Sequence, residues 1–139
     1  MAAPAAELKH AIFAALAADA GLVAALGGAR IHDELPKNLA FPYVSFGRTS
    51  VYDWASGSEL DTEQLFTVHV WSKAKGEAET LGIMDIVRAR LADALLPLEG
   101  REPVRVRQEF AEARYDEDFA VHHGLLRFRA VAEAASAPP

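Results

Sequence analysis

Hydrophobic and polar positions alternate most clearly over residues 61–72, DTEQLFTVHVWS, where Leu65, Thr67, His69 and Trp71 point one way and Phe66, Val68 and Val70 the other. Strand side chains alternate faces with period two, so a β-branched and aromatic run of this kind predicts a strand. Both sets hold sizeable apolar groups, which predicts a central strand covered by helices on at least one side. The polar exit Ser72-Lys73-Ala74-Lys75-Gly76 ends it.

Elsewhere the period becomes helical. Leu8, Ile12, Phe13 and Leu16 recur on one stripe behind Pro4, whose fixed φ and missing N–H suit a first helical turn. Asp19 reads as the N-cap of a second, short helix through Leu22, Val23 and Leu26, stopped by Gly27-Gly28. Residues 30–40 keep no period and contain Pro36, which predicts a connecting loop with at most a short extended piece around Ile31. Val44 and Phe46 then alternate with Tyr43 and Ser45 in a strand whose Pro42 belongs at its start or on an edge. The following SVYDWASGSELD reads as a polar loop holding Tyr52 and Trp54. Residues 76–96 predict an amphipathic helix with Leu81, Met84, Val87, Leu91 and Leu95 on one face, ended by Pro97. Behind Pro103, Val104, Val106, Gln108 and Phe110 share one face of a strand, and Arg105, Arg107 and Glu109 the other. A turn at residues 116–118 leads into a last strand over residues 119–131. The order α-α-β-β-α-β-β predicts an α+β two-layer sandwich, with a mainly antiparallel sheet of about four strands and helices packed on one face. Residues 1–133 are expected to form a single domain and residues 134–139 a flexible tail.

Composition narrows the function classes. A chain of 139 residues that is 51% hydrophobic and 24% charged lies outside the disordered, fibrous and coiled-coil classes. No apolar run approaches the roughly 20 residues that span a bilayer. The Ala-rich start carries Glu7, Lys9 and His10 in place of a cationic and then apolar leader, so a soluble, untargeted protein without a membrane partner is expected. Lacking cysteine, the chain has no disulfide, thiolate ligand or thiol nucleophile. A net charge of −6 and a pI near 5.3 count against tight binding to a phosphate backbone.

The residue types that carry chemistry elsewhere have plain structural readings in this chain. His69 sits between Val68 and Val70 with no partner at a fixed spacing, and reads as a packing histidine rather than a base. His122 and His123 are adjacent in a strand and point to opposite faces, so they do not chelate one ion. His10 and His32 are isolated. The chain has no nucleophile elbow, phosphate loop, dinucleotide fingerprint or zinc-protease pair. The acids Asp53, Glu59, Asp61 and Glu63 do not follow calcium-loop spacing and read as a solvated loop. No catalytic residue, metal site or cofactor is expected.

One pattern rises above this background. Arg105 and Arg107 share a strand face, as do Arg127 and Arg129, and a hairpin of even register brings the two pairs together. Like charges opposed in a sheet are destabilising without a negative partner. Glu109 and Glu133 supply that charge within the chain, or an acidic surface of another subunit does, for which the loop bearing Asp53, Trp54, Glu59 and Asp61 is an available donor. These eight residues, the four arginines and the four of the loop, are the candidate contact surface.

An N-terminal helical segment, FPYVSFG, a Trp-bearing polar loop, FTVHVWS leading into an amphipathic helix, and a final hairpin together resemble the tail-terminator, or tail-completion, subunits of long-tailed bacteriophages. More narrowly, the Ala-rich chain is similar to the corresponding subunit of an alphaproteobacterial gene transfer agent. The resemblance implies a structural virion protein and no enzyme. It implies a homo-oligomeric, hexameric ring at the tail–neck junction, assembled in the bacterial cytoplasm. Such a ring caps the tail tube, ends polymerisation of the tube protein, and offers a docking surface to the neck or head-completion protein. DNA passes through its lumen without sequence-specific binding, past an acidic wall that repels phosphate. Another neck component, or a small enzyme or ligand-binding module, are the alternative readings.

Overall fold

The structure is a computed structural model that describes residues 4–53, 62–98 and 101–132. Three helices and six strands follow in the order α1 (Pro4–Ala17), α2 (Ala20–Leu26), β1 (Ile31–His32), β2 (Tyr43–Asp53), β3 (Thr62–Ser72), α3 (Ala78–Leu91), β4 (Leu95–Leu98), β5 (Arg101–Asp116) and β6 (Val121–Ala132). The strands form one mixed sheet in the order β1-β2-β3-β6-β5-β4, in which only β1 and β2 run parallel.

The expected class, α+β with a mainly antiparallel sheet, is the one observed, but the expected four strands are six. The short piece at Ile31 is a strand because it pairs with Val44 and Ser45. The other addition corrects the long helix. It stops at Leu91, Asp93 takes a left-handed φ of 63°, and residues 95–98 turn back to pair with β5. Leu95 and Leu96 are therefore strand residues, and Pro97 lies in that strand rather than ending a helix.

The helix phase is also shifted from its sequence reading. Thr80, Ile83, Met84, Val87 and Leu91 are buried, whereas Leu81 is 41% exposed. β2 runs on to Asp53, so the first residues of the expected polar loop are strand. Trp54, Glu59 and Asp61, with the rest of that loop, and the expected tail over residues 134–139 lie outside the described residues.

The core fills the space between the helices and one side of the sheet. Phe66, Val68 and Val70 of β3, Leu126, Phe128 and Ala130 of β6, and Val104 and Val106 of β5 pack there against Leu8, Ile12 and Leu16 of α1, Leu22 and Leu26 of α2, and Val87 and Leu91 of α3. β3 is inner, as its two apolar sides predict. Asp19 caps α2 by accepting from the Leu22 N–H at 2.9 Å, and Gly27, at φ 81°, closes it. Ser72, wholly buried, donates to Glu79 at 2.6 Å and accepts from the Ala74 N–H at 3.1 Å, which fixes the connection from β3 into α3.

Candidate functional site

The helices leave one side of the sheet uncovered among the described residues. Antiparallel partners share a face, so register alone places Leu65, Thr67, His69 and Trp71 of β3 there with His123, Leu125, Arg127 and Arg129 of β6. Arg105 and Arg107 of β5 join them, and Arg107 lies directly opposite Arg129. The four arginines thus share one face.

They do not form two opposed pairs. With Arg107 opposite Arg129 the register sets Arg105 against Val131, and a bulge between Gln108 and Phe110 inserts Glu109, so Arg127 faces Phe110. The bulge also corrects the sequence reading of Phe110, which leaves the core side, is 42% exposed, and lies 5.4 Å from the Arg127 guanidinium as a cation–π partner. Glu109 turns to Arg129 at 2.5 Å, and Glu63 reaches the same guanidinium at 3.3 Å. Asp93 pairs with Arg107, and its backbone carbonyl accepts from Arg105 at 2.9 Å. The cross-strand repulsion of Arg107 and Arg129 is thus met within the chain by carboxylates of three elements. Of these, Glu109 was legible in the sequence; Glu63 and Asp93 are brought in by the β3–β6 register and by the turn after α3. Glu133 lies outside the described residues, and of Asp53 only the strand backbone is described.

At the other end of the face an aromatic cluster replaces the charges. Trp71 and His123 stack 3.9 Å apart at 2°, and Tyr43 stacks on the far side of Trp71 at 6.2 Å. The indole N–H donates to Ser45 at 3.0 Å. His69 Nδ1 and His123 Nε2 lie 2.7 Å apart, so one ring donates the single proton between them. A Cβ on Gly47 would collide with the His69 ring, and only glycine lets the bulged β2 backbone pass so close. Burial pushes the His69 imidazole below its usual range. Burial first, then His69 and Arg114, push His123 to about 4, against an opposite pull from Asp116. Both rings are neutral at pH 7, which suits packing more than proton transfer.

His122 and His123 do point to opposite faces, but the sequence reading missed that His123 meets His69. The meeting is diagonal across neighbouring strands and requires their register. Between the two clusters a groove of about 370 Å³ is lined by Arg48, Ser50, Leu65, Thr67, His69, Leu125 and Arg127. Among the described residues no group of three or more His, Asp or Glu side chains is placed to hold a metal. No helix there is by itself long and apolar enough to cross a membrane.

A family model described as tail completion protein gp17 matches residues 10–133. Among solved structures, a chain of the virion of a native gene transfer agent (GTA) particle is 30% identical, with a TM-score of 0.81 over 96% of this chain and 100% of that one. The bacteriophage SPP1 gp17 protein is 22% identical, with a TM-score of 0.65 over 96% of this chain and 94% of its own, a likeness of fold. No curated protein matches.

Proposed function

The chain belongs to the tail completion protein gp17 family, structural proteins of the virion tail and not enzymes, and from that premise we propose that its copies form a ring on the end of the tail tube. The ring ends polymerisation of the tube protein and offers its outer side to the neck or head-completion protein. The observation that carries this reading is the 30% identity to a chain of a gene transfer agent virion, spread over 96% of this chain. The likeness runs along almost the whole of both chains. The geometry supports the reading through a face whose described residues are rich in aromatic and charged side chains and hold no arrangement of base, nucleophile and orienting partner.

On this reading a hexameric ring surrounds a bore for DNA. The acidic balance of the chain, −6 overall, works against retention of the phosphate backbone. Arg105, Arg107, Arg127 and Arg129, with the segment running from Asp53 through Trp54, Glu59 and Asp61, are the proposed contact surface toward the tube or a neighbouring subunit.

Deletion of the gene tests the function directly. Particles made without the protein should carry tails of uncontrolled length that fail to join heads, visible by electron microscopy. Tails of normal length, joined to heads, would refute the termination reading.

A further inference from the structure

The two outer margins of the sheet are capped at opposite ends. On β5 the pairing with β4 and its preceding turn stops at Val106, whose N–H donates to the Ala94 carbonyl at 2.9 Å and whose carbonyl accepts from the Asp93 N–H at 2.8 Å. On β2, β1 covers only Val44 and Ser45. Residues 108–116 of β5 and 46–53 of β2 therefore have no strand on their outer side among the described residues.

Ladder parity identifies the backbone groups left over. In an antiparallel ladder the N–H and C=O of one residue point to the same side, and successive residues alternate. Val106 points outward, so Arg107 and its partner Arg129 point toward each other. Arg127 then points to β5 as well, and its partner beyond the bulge is Phe110, which leaves Ala111, Ala113 and Tyr115 pointing outward. On β2, Val44 donates outward to the Arg30 carbonyl at 2.9 Å, so Ser45 pairs inward with His69. Leu65 lies four residues before His69 and pairs with Ser50, which leaves Thr49, Val51 and Asp53 pointing outward. Neither free stretch contains proline. Such an edge is a template for another strand.

We propose that neighbouring copies of this chain join by strand addition, residues 108–116 of one subunit pairing antiparallel with residues 46–53 of the next. The contact rests on the ring reading above and gives it an interface. Within one sheet β5 already runs antiparallel to β2, because β3 and β6 lie between them in alternating directions. A second copy set beyond β5 in the same orientation thus presents its β2 in the required direction. Setting Thr49, Val51 and Asp53 opposite Tyr115, Ala113 and Ala111 matches the outward groups of both edges. It also keeps faces together, since Thr49 pairs with Phe66 on the helix side, as Ala111 and Ala113 do with Leu126 and Gly124. On the uncovered side this register brings Arg48 to Asp116 and Ser50 to Arg114. Shifting it by two residues would oppose Arg48 to Arg114 instead, which like charge disfavours.

The opposite caps impose a stagger, because β1 and β4 clear the neighbour only when successive subunits slide along the strand direction. Stagger of this kind is what lets a sheet close on itself. The contact joins two different edges, head to tail, and so makes a ring where its rotation closes.

The chain has no cysteine, which makes cross-linking clean. Ser50 and Arg114 lie on β2 and β5 with two strands between them, too far apart to bridge within one subunit. In assembled rings the double variant Ser50→Cys, Arg114→Cys should oxidise to a ladder of covalent multimers ending at the closed ring, and neither single variant should give a ladder. Ala111→Pro and Ala113→Pro place proline where the N–H faces outward, so the subunit's own ladder is kept. Each should hold its thermal midpoint within a few degrees and lose at least tenfold in ring assembly. Rings that form normally with both prolines and yield no ladder overturn this interface while leaving the ring intact. A wild-type protein that stays monomeric even beside tail tubes overturns the ring and this interface with it.

Discussion

His123 is the side chain whose environment departs furthest from the ordinary. It faces His69 and Trp71 from β3, Arg114 from β5 and Asp116 at the turn, and burial first, then His69 and Arg114, hold its pKa at about 4. In the unfolded chain the same ring titrates near about 6.5. The unfolded state therefore takes up its proton first as pH falls, so the contribution to stability is fully present above about pH 6.5 and is lost on the way down to pH 4. A dry interior would make this worth about 3 kcal/mol; the site is half-exposed, and screening reduces the expectation to about 1 kcal/mol. Urea midpoints of wild type and His123→Gln should converge as pH is lowered from 7 to 4.5. A constant gap between the two curves would contradict the assignment. Neither the pair nor its pH dependence could be read from the sequence, where His69 and His123 stand 54 residues apart.

At the scale of elements, the packing of α3 on β6 depends on a missing side chain. A Cβ on Gly124 would lie 2.5 Å from Met84 Sδ and 3.1 Å from Thr80 Cγ2, so glycine lets the helix settle onto the strand. Gly124→Ala should destabilise by about 1–3 kcal/mol through overpacking, seen as a lower thermal midpoint, and Met84→Ala in the same chain should recover part of the loss. Bulges decide the other element-scale outcomes. The extra residue at Glu109 turns Phe110 out and Glu109 toward Arg129, and the irregularity between Phe46 and Thr49 admits the His69 ring beside Gly47. Strict alternation correctly places Val104, Val106, Arg105 and Arg107, and fails one residue past the bulge because an inserted residue reverses the faces downstream.

For the whole molecule, the arginine face gives the sharpest test of function. Arg105→Glu with Arg107→Glu should impair assembly on the tube while changing the thermal midpoint of the isolated subunit little, because Arg107 is exposed and exposed ion pairs contribute about 0–1 kcal/mol. Unchanged assembly by electron microscopy and light scattering would remove these residues from the contact. Cross-linking through β2 and β5, tested alongside, separates a fault in this face from a fault at the sheet margins.

The class of fold and the inner position of β3 follow from period and apolar content, local properties that a strand with two apolar sides satisfies only inside a sheet. Local sequence also sets the Asp19 cap, the Gly27 stop and the common side of Arg105 and Arg107, each within a few residues of chain. Tertiary structure alone decided the two short strands, since β1 and β4 have only two and four residues and exist through their partners. It likewise decided the approach of Glu63 and Asp93 to the arginines, the His69–His123 contact and the offset of the two margins that no described strand covers. These depend on register between distant segments, and register is settled by packing the sheet against its helices.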